Sequence, residues 1–120
     1  MLVENNVPST IDKANIGWDV LHEVNPNLIM LRMPAYGLSG PYSSYRSLGL
    51  HIEAMVGHTH LRGYPDGTPE ELSESLASDG LSGVQGALSV MMALRHRERT
   101  GEAQLIDQPL TEGFIGTLSE

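Results

Sequence analysis

Asp79 is the side chain whose type and setting most readily suggest chemistry. It lies in Ser78-Asp79-Gly80, ahead of a small and apolar run that closes on Arg97-Glu98-Arg99-Thr100-Gly101. That pattern predicts a helix over 80–99, about five turns, with one carboxylate at its start and a sharp stop at Thr100-Gly101. A carboxylate there has two uses. It can cap the helix, because short polar side chains accept hydrogen bonds from the first free N–H groups. It can also serve as a nucleophile, its anion favoured by the positive end of the helix dipole. Gly80 and Gly83 would leave room for a substrate. Spacing alone favours the cap.

Other reactive sets find less support. His51, His58 and His60 invite a metal site, but His58-Thr59-His60 lacks helical i, i+4 spacing and an HExxH-type partner, so no metal is expected. There is no G-x-S-x-G elbow, P-loop or G-x-G-x-x-G. Pro69-Glu70-Glu71-Leu72-Ser73-Glu74 reads as a solvated acidic face rather than a catalytic carboxylate pair. Tyr36–Tyr42 is a Gly/Pro loop after an expected strand, at the sheet edge where open α/β folds bind ligands.

The elements that must position these groups follow from periodicity. Gly17 to Val24 reads as a short helix in which Trp18, Val20, Leu21 and Val24 share a face. Asn25-Pro26-Asn27 breaks it. Leu28 to Met33, ended by Pro34, suits a strand buried on both faces. A helix is expected from about Leu48 to Val56, a turn at Pro65-Asp66-Gly67, and a loop over Pro69 to Ser75. In the long helix, Leu81, Val84, Leu88, Met91 and Arg95 form one stripe. Gly83, Gly86, Ala87 and Val90 form a second, small enough for close packing on a neighbour. Gln104 to Asp107 is a second buried strand, and Leu110 to Glu120 begins another helix. Helices alternating with buried strands imply an α/β class.

Composition narrows the partners. The chain has 120 residues, about one domain, with 40% hydrophobic content. Its formal charge of -8 argues against nucleic acid and anionic membrane surfaces. It has no cysteine, hence no disulfide framework and no thiol nucleophile, which fits a reducing cytoplasm. No apolar run approaches the roughly 20 residues of a membrane span. Met1-Leu2-Val3-Glu4-Asn5 is unlike a signal peptide.

Five segments, in order, resemble the class III CoA-transferase family, which includes formyl-CoA and carnitine CoA-transferases. Leu2-Val3-Glu4-Asn5 with Pro8 resembles its L-V-E-N-F-x-P-G stretch. Asn25-Pro26-Asn27-Leu28-Ile29 resembles N-P-x-L-I. Tyr36-Gly37-Leu38-Ser39-Gly40-Pro41-Tyr42 resembles F-G-x-x-G-P-Y. Glu53-Ala54-Met55-Val56-Gly57 with Gly63-Tyr64-Pro65-Asp66-Gly67 resembles Q-A-x-S-G followed by T-G-x-P-D-G. Asp79, then Ala93-Leu94 through Arg97-Glu98-Arg99-Thr100-Gly101 with Gln104 and Asp107, resembles D, A-A-L and R-E-R-T-G-x-G-Q-x-V-D. Asn6 and Val7 depart from the first pattern, and Ala103 replaces a glycine in the last.

The resemblance implies a helix-rich, Rossmann-like α/β core with few parallel strands, spanning 1–120 as one partial domain. It implies an acyl-CoA substrate, a carboxylate acceptor, and Asp79 as the nucleophile that forms aspartyl acyl and aspartyl-CoA intermediates. Asn5 falls in the CoA-contact segment, and Lys13 and Arg46 fall where relatives carry basic residues near CoA phosphates. The related α-methylacyl-CoA racemases pair the aspartate with a histidine. Leu48 occupies that position here, with His51 one turn away, so racemase ranks below transferase. Family members are several times longer, so an interior segment is expected, without the second domain's glycine-rich loop. A different-class alternative is a catalytically silent module that self-associates or binds a partner. Exposed apolar surface, and therefore a dimer or larger, is expected in either case.

Overall fold

The computed structural model describes residues 1–71 and 75–118. Leu72 to Glu74, part of the expected acidic loop, and Ser119-Glu120, the end of the expected last helix, lie outside the described residues.

Three short parallel strands form a sheet in the order β1 (Leu2–Glu4), β2 (Ile29–Arg32), β3 (Gln104–Asp107). Helices α1 (Pro8–Lys13) and α2 (Trp18–Val24) connect β1 to β2. Helices α3 (Gly49–Met55), α4 (His58–Leu61) and α5 (Ala77–Thr100) lie between β2 and β3, and α6 (Leu110–Ile115) follows β3. Pro69–Glu71 forms a single 3₁₀ turn.

The central strand explains the layering. Ile29, Met30 and Leu31 are at most 2% exposed. Alternation along β2 sends Met30 and Leu31 to opposite faces. Leu28 and Met30 pack with Ile11, Trp18 and Leu21 beneath α1 and α2, whereas Leu31 and Met33 pack with Val90, Leu94, Ile106 and Leu110 beneath α5 and α6. An unbroken apolar strand is what a sheet covered on both faces needs.

Helix α5 packs through its small side chains. Ser78, Ser82, Gly86, Val90 and Ala93 are buried, whereas Gly83 and Ala87 of the expected small stripe are exposed, because the buried face follows a four-residue spacing through Ser82. A methyl group on Gly86 would come within 3.0 Å of Leu31 and of the Met33 sulfur, so the glycine sets the helix-to-sheet spacing. The apolar stripe faces outward: Val84, Leu88, Met91 and Met92 are 54–70% exposed. The helix stops at Gly101, whose φ of 79° reverses the chain while its N–H donates to the Arg97 carbonyl at 2.8 Å.

Several sequence expectations change. Helix α5 starts at Ala77, three residues before Gly80, so Asp79 is its third residue and not its cap. Strand β3 is an edge strand with alternating partial exposure, not a second buried strand. Val20 and Val24 point outward from α2, because a two-residue contact by Trp18 and Leu21 suffices to cover that part of the sheet. Helices α1 and α4 have no counterpart in the sequence reading; both are too short to show a clear period.

Candidate active site

A cavity of about 650 Å³ opens at the C-terminal edge of the sheet. Glu4, Asn5 and Val7 reach it from the end of β1, Met33 and Ala35 from the end of β2. Leu48, Gly49 and Leu50 come from the start of α3, and Leu76, Asp79 and Gly83 from the start of α5. Crevices at this edge arise because the connections diverge as they leave parallel strands.

Asp79 and Asn5, far apart in sequence, therefore share one cavity. Asp79 is exposed there and sits directly on Gly49: a methyl group at Gly49 would lie 2.6 Å from Asp79 Oδ2. The missing side chain at Gly49 makes the space the carboxylate occupies. Lys13 ends α1 and Arg46 lies between Tyr45 and Ser47; both are exposed and neither lines the cavity. Tyr45 and Ser47 do line it. Leu48 stands on the cavity wall with its N–H donating to His51 Nδ1 at 3.0 Å.

A buried ion pair builds the Asn5 wall. Arg32 Nε donates to Glu4 Oε1, both side chains being almost fully buried. Arg32 Nη2 also donates to the Pro8 carbonyl at 3.3 Å, and Glu4 Oε2 accepts from the Asn6 N–H at 2.7 Å. The turn carrying Asn5 is thus tied to β2. Breaking such a pair leaves an uncompensated buried charge and costs about 3–5 kcal/mol. On the other side, Asp107 Oδ2 accepts from the Leu38 N–H at 3.2 Å, fixing the loop after β2 to the end of β3. Tyr36, Tyr42 and Tyr45 cluster in that loop, with ring centroids 5.2–6.4 Å apart.

The start of α5 is held from outside its own helix. Leu76, its cap residue, has φ 49° and makes no side-chain cap. That conformation costs a β-substituted residue about 1–2 kcal/mol. Glu53 of α3 supplies what is missing. It is 2% exposed and accepts from the Ser78 N–H at 3.3 Å, from Ser75 Oγ at 2.6 Å and from Arg62 at 3.4 Å, with His58 Nδ1 at 3.1 Å. Burial pushes the Glu53 carboxyl up, but hydrogen bonds from Ser75, the Ser78 backbone, His58 and the Ala77 backbone outweigh it, and its pKa lies below the ordinary 4.5. Ser78 Oγ also donates to the Gly49 carbonyl at 3.1 Å. Sequence reasoning placed Glu53 in a motif segment but gave it no role. Only the spatial approach of α3 to α5 reveals one.

Among the described residues, no three His, Asp or Glu side chains assemble a metal-binding group, and no helix is long and apolar enough to cross a membrane.

The parallel sheet, covered by helices on both faces and with an open carboxylate in the cleft at its C-terminal edge, places the fold in the α/β class. The profile of CoA-transferase family III matches residues 1–120, and the chain belongs to that family. It is similar to the succinyl-CoA–L-malate CoA-transferase beta subunit of Chloroflexus aurantiacus, 43% identical over 115 residues, covering 96% of this chain and 28% of that protein. It is also similar to the acetyl-CoA:oxalate CoA-transferase of Acetobacter aceti, 31% identical over 118 residues, covering 98% of this chain and 30% of that one. The crystal structure of a CAIB/BAIF family protein from Brucella suis superposes with a TM-score of 0.90 at 29% identity, covering 98% of this chain and 31% of that chain. The chain spans less than a third of the length of these relatives.

Proposed function

We propose that this domain transfers CoA from an acyl-CoA thioester to a carboxylic acid, with Asp79 as the nucleophile. The observation that carries the reading is the exposed Asp79 carboxylate, seated on Gly49 in the C-terminal cleft of a family III CoA-transferase domain.

The steps balance without an added cofactor. Asp79 attacks the thioester carbonyl, the C–S bond breaks, and a mixed anhydride and CoA thiolate result. The thiolate attacks the aspartyl carbonyl of the anhydride, releasing the donor acid and leaving an aspartyl-CoA thioester. The acceptor carboxylate attacks that thioester, expelling CoA thiolate again. The thiolate then takes the acceptor's acyl group as the new acyl-CoA, and Asp79 is restored. A carboxylate is a weak nucleophile in water, so positioning and partial exclusion of water must supply much of the rate. Asn5 on the opposite wall is proposed to contact CoA, with Lys13 and Arg46 meeting its phosphates from outside the cavity. Four relatives, at 36% to 43% identity, carry succinyl-CoA in their names, so succinyl-CoA is the donor to try first. We place the protein in the cytoplasm, where acyl-CoA is available to a cysteine-free chain.

The racemase alternative ranks below transfer, because by the resemblance Leu48 stands where the racemase histidine would. Leu48 lines the cavity where a histidine would be required, and His51 Nδ1 is engaged by the Leu48 N–H.

The exposed stripe of Val84, Leu88, Met91 and Met92 favours a second role in association. We propose that it is covered by a second copy or by complementary segments of the enzyme, and that transfer requires that cover. Light scattering of the chain should give a dimer or larger; a monomer at high concentration contradicts this. The catalytic reading is tested by incubation with succinyl-CoA, trapping with hydroxylamine or borohydride, and mass spectrometry of the Asp79 peptide. With neither an adduct nor a CoA-dependent thermal shift, the chain is a silent module.

A further inference from the structure

Gly49 and Glu53 stand one turn apart on the same face of α3, and both grip the first turn of α5. Gly49 makes room for the Asp79 carboxylate, and its carbonyl accepts from Ser78 Oγ. Glu53 accepts from the Ser78 N–H and from Ser75 Oγ, two residues after and one residue before the strained Leu76. His58 and Arg62 hold Glu53 in turn from the α4 segment. His58 is itself packed edge-on against Phe114 of α6, with ring centroids 5.0 Å apart. Helix α5 has no capping side chain of its own, so the direction of its first turn depends on a carboxylate from another helix.

We propose that Glu53 is a positioning residue for Asp79: an external cap that orients the first turn of α5 so that Asp79 faces the cavity at Gly49. The inference rests on Asp79 being the reacting group, but the capping half of it does not. Glu53 touches no substrate. It acts through Ser78, adjacent to Asp79, and its burial keeps it out of the cavity.

The test compares wild type, Glu53→Leu and Glu53→Gln in the full chain. Glutamine keeps an acceptor for the Ser78 N–H and loses the charge facing Arg62. Amide hydrogen exchange is read at Ser78–Ser82 and at Val90–Ala93, and Asp79 labelling by succinyl-CoA is read as a maximal rate and a half-saturating concentration. In Glu53→Leu, exchange at Ser78–Ser82 should rise about tenfold or more while Val90–Ala93 changes less than about threefold. The maximal labelling rate should fall about tenfold with half-saturation within about threefold, since orientation and not binding is lost. Glu53→Gln should recover most of both. Unchanged exchange at Ser78–Ser82, an equal rise along all of α5, or a labelling loss that glutamine leaves in place overturns the proposal. Should Glu53→Leu not fold, Ser75→Ala decides, since it removes the shortest bond to Glu53 and keeps the charge. It should raise exchange at Ser78–Ser82 about threefold, and no local change counts against the cap. A wild type that forms no Asp79 adduct defeats the transfer reading, while the exchange data still decide the cap.

Discussion

Around Glu53 the protein closes in, with Ser75, Ser78, His58 and Arg62 all directed at one buried carboxylate, whereas around Asp79 it draws back, with a glycine beneath the carboxylate and a cavity before it. Glu53 binds Ser78, the residue next to Asp79 in the same helix turn. What separates them is the company each keeps. A carboxylate saturated with donors is held in its charged form and has no lone pair to spare for an incoming carbonyl. One that is exposed on a cavity wall can reach a substrate. A residue's type says that it can be a nucleophile; its surroundings decide whether it is one.

The contrast can be broken at four points of decreasing effect. Asp79→Asn should lower trapped adduct by more than about a thousandfold, because it removes the proposed carboxylate nucleophile. Its melting temperature should stay near wild type, since the side chain is exposed. Adduct formation at the wild-type rate in that variant would move the nucleophile elsewhere.

Gly49→Ala should come next. Its methyl group would meet Asp79 Oδ2 at 2.6 Å and push the carboxylate aside. A displacement of this size can cost about a hundredfold in rate. Rapid-quench labelling would read it, and an unchanged rate would show that the space at Gly49 is irrelevant to reaction.

Acid titration sharpens the Glu53 side. Its folded pKa lies below the ordinary 4.5, so its stabilising contribution is complete above about pH 4.5 and is lost as pH falls through the lower folded value. Glu53→Gln should therefore be less stable than wild type at neutral pH, and the gap should narrow on acidification below pH 4.5. A gap that stays constant down the acid limb of denaturant melts would deny the linkage.

Lys13→Ala and Arg46→Ala should have the smallest effects, raising half-saturation by CoA about two- to fivefold at low salt and less at high salt, as exposed charges do. Arg46 should matter more, because its neighbours Tyr45 and Ser47 line the cavity. Equal, salt-independent effects would place the phosphates elsewhere.

Much of the scaffold was legible from local pattern. The run from Leu28 to Met33 announced a doubly covered strand, because no solvent-facing alternation interrupts it. The small residues of α5 announced close packing, and Thr100-Gly101 announced its end. The start of α5 was misread for a physical reason. Ser78 and Asp79 look like caps, but Leu76 adopts a left-handed conformation and the helix begins at Ala77, held by a carboxylate 25 residues away from Ser78 in the chain. No local rule sees an external cap. The outward apolar stripe of α5 was visible as periodicity, yet periodicity missed that the buried face runs through Ser78, Ser82, Gly86 and Val90 and leaves Gly83 and Ala87 exposed. The close approach at Gly86 marks that face.

By itself the sequence determined the class of sheet, the helix that carries Asp79, and the ordered segments that tie the chain to its family. These depend on residue type and spacing along one stretch of chain, where propensity and hydrophobic period act. Tertiary structure alone decided that Asn5 and Asp79 share a cavity, that Lys13 and Arg46 stand outside it, and that Glu53 is bound up while Asp79 is open. Those depend on which elements meet, and α3 meets α5 through residues that are far apart in the chain.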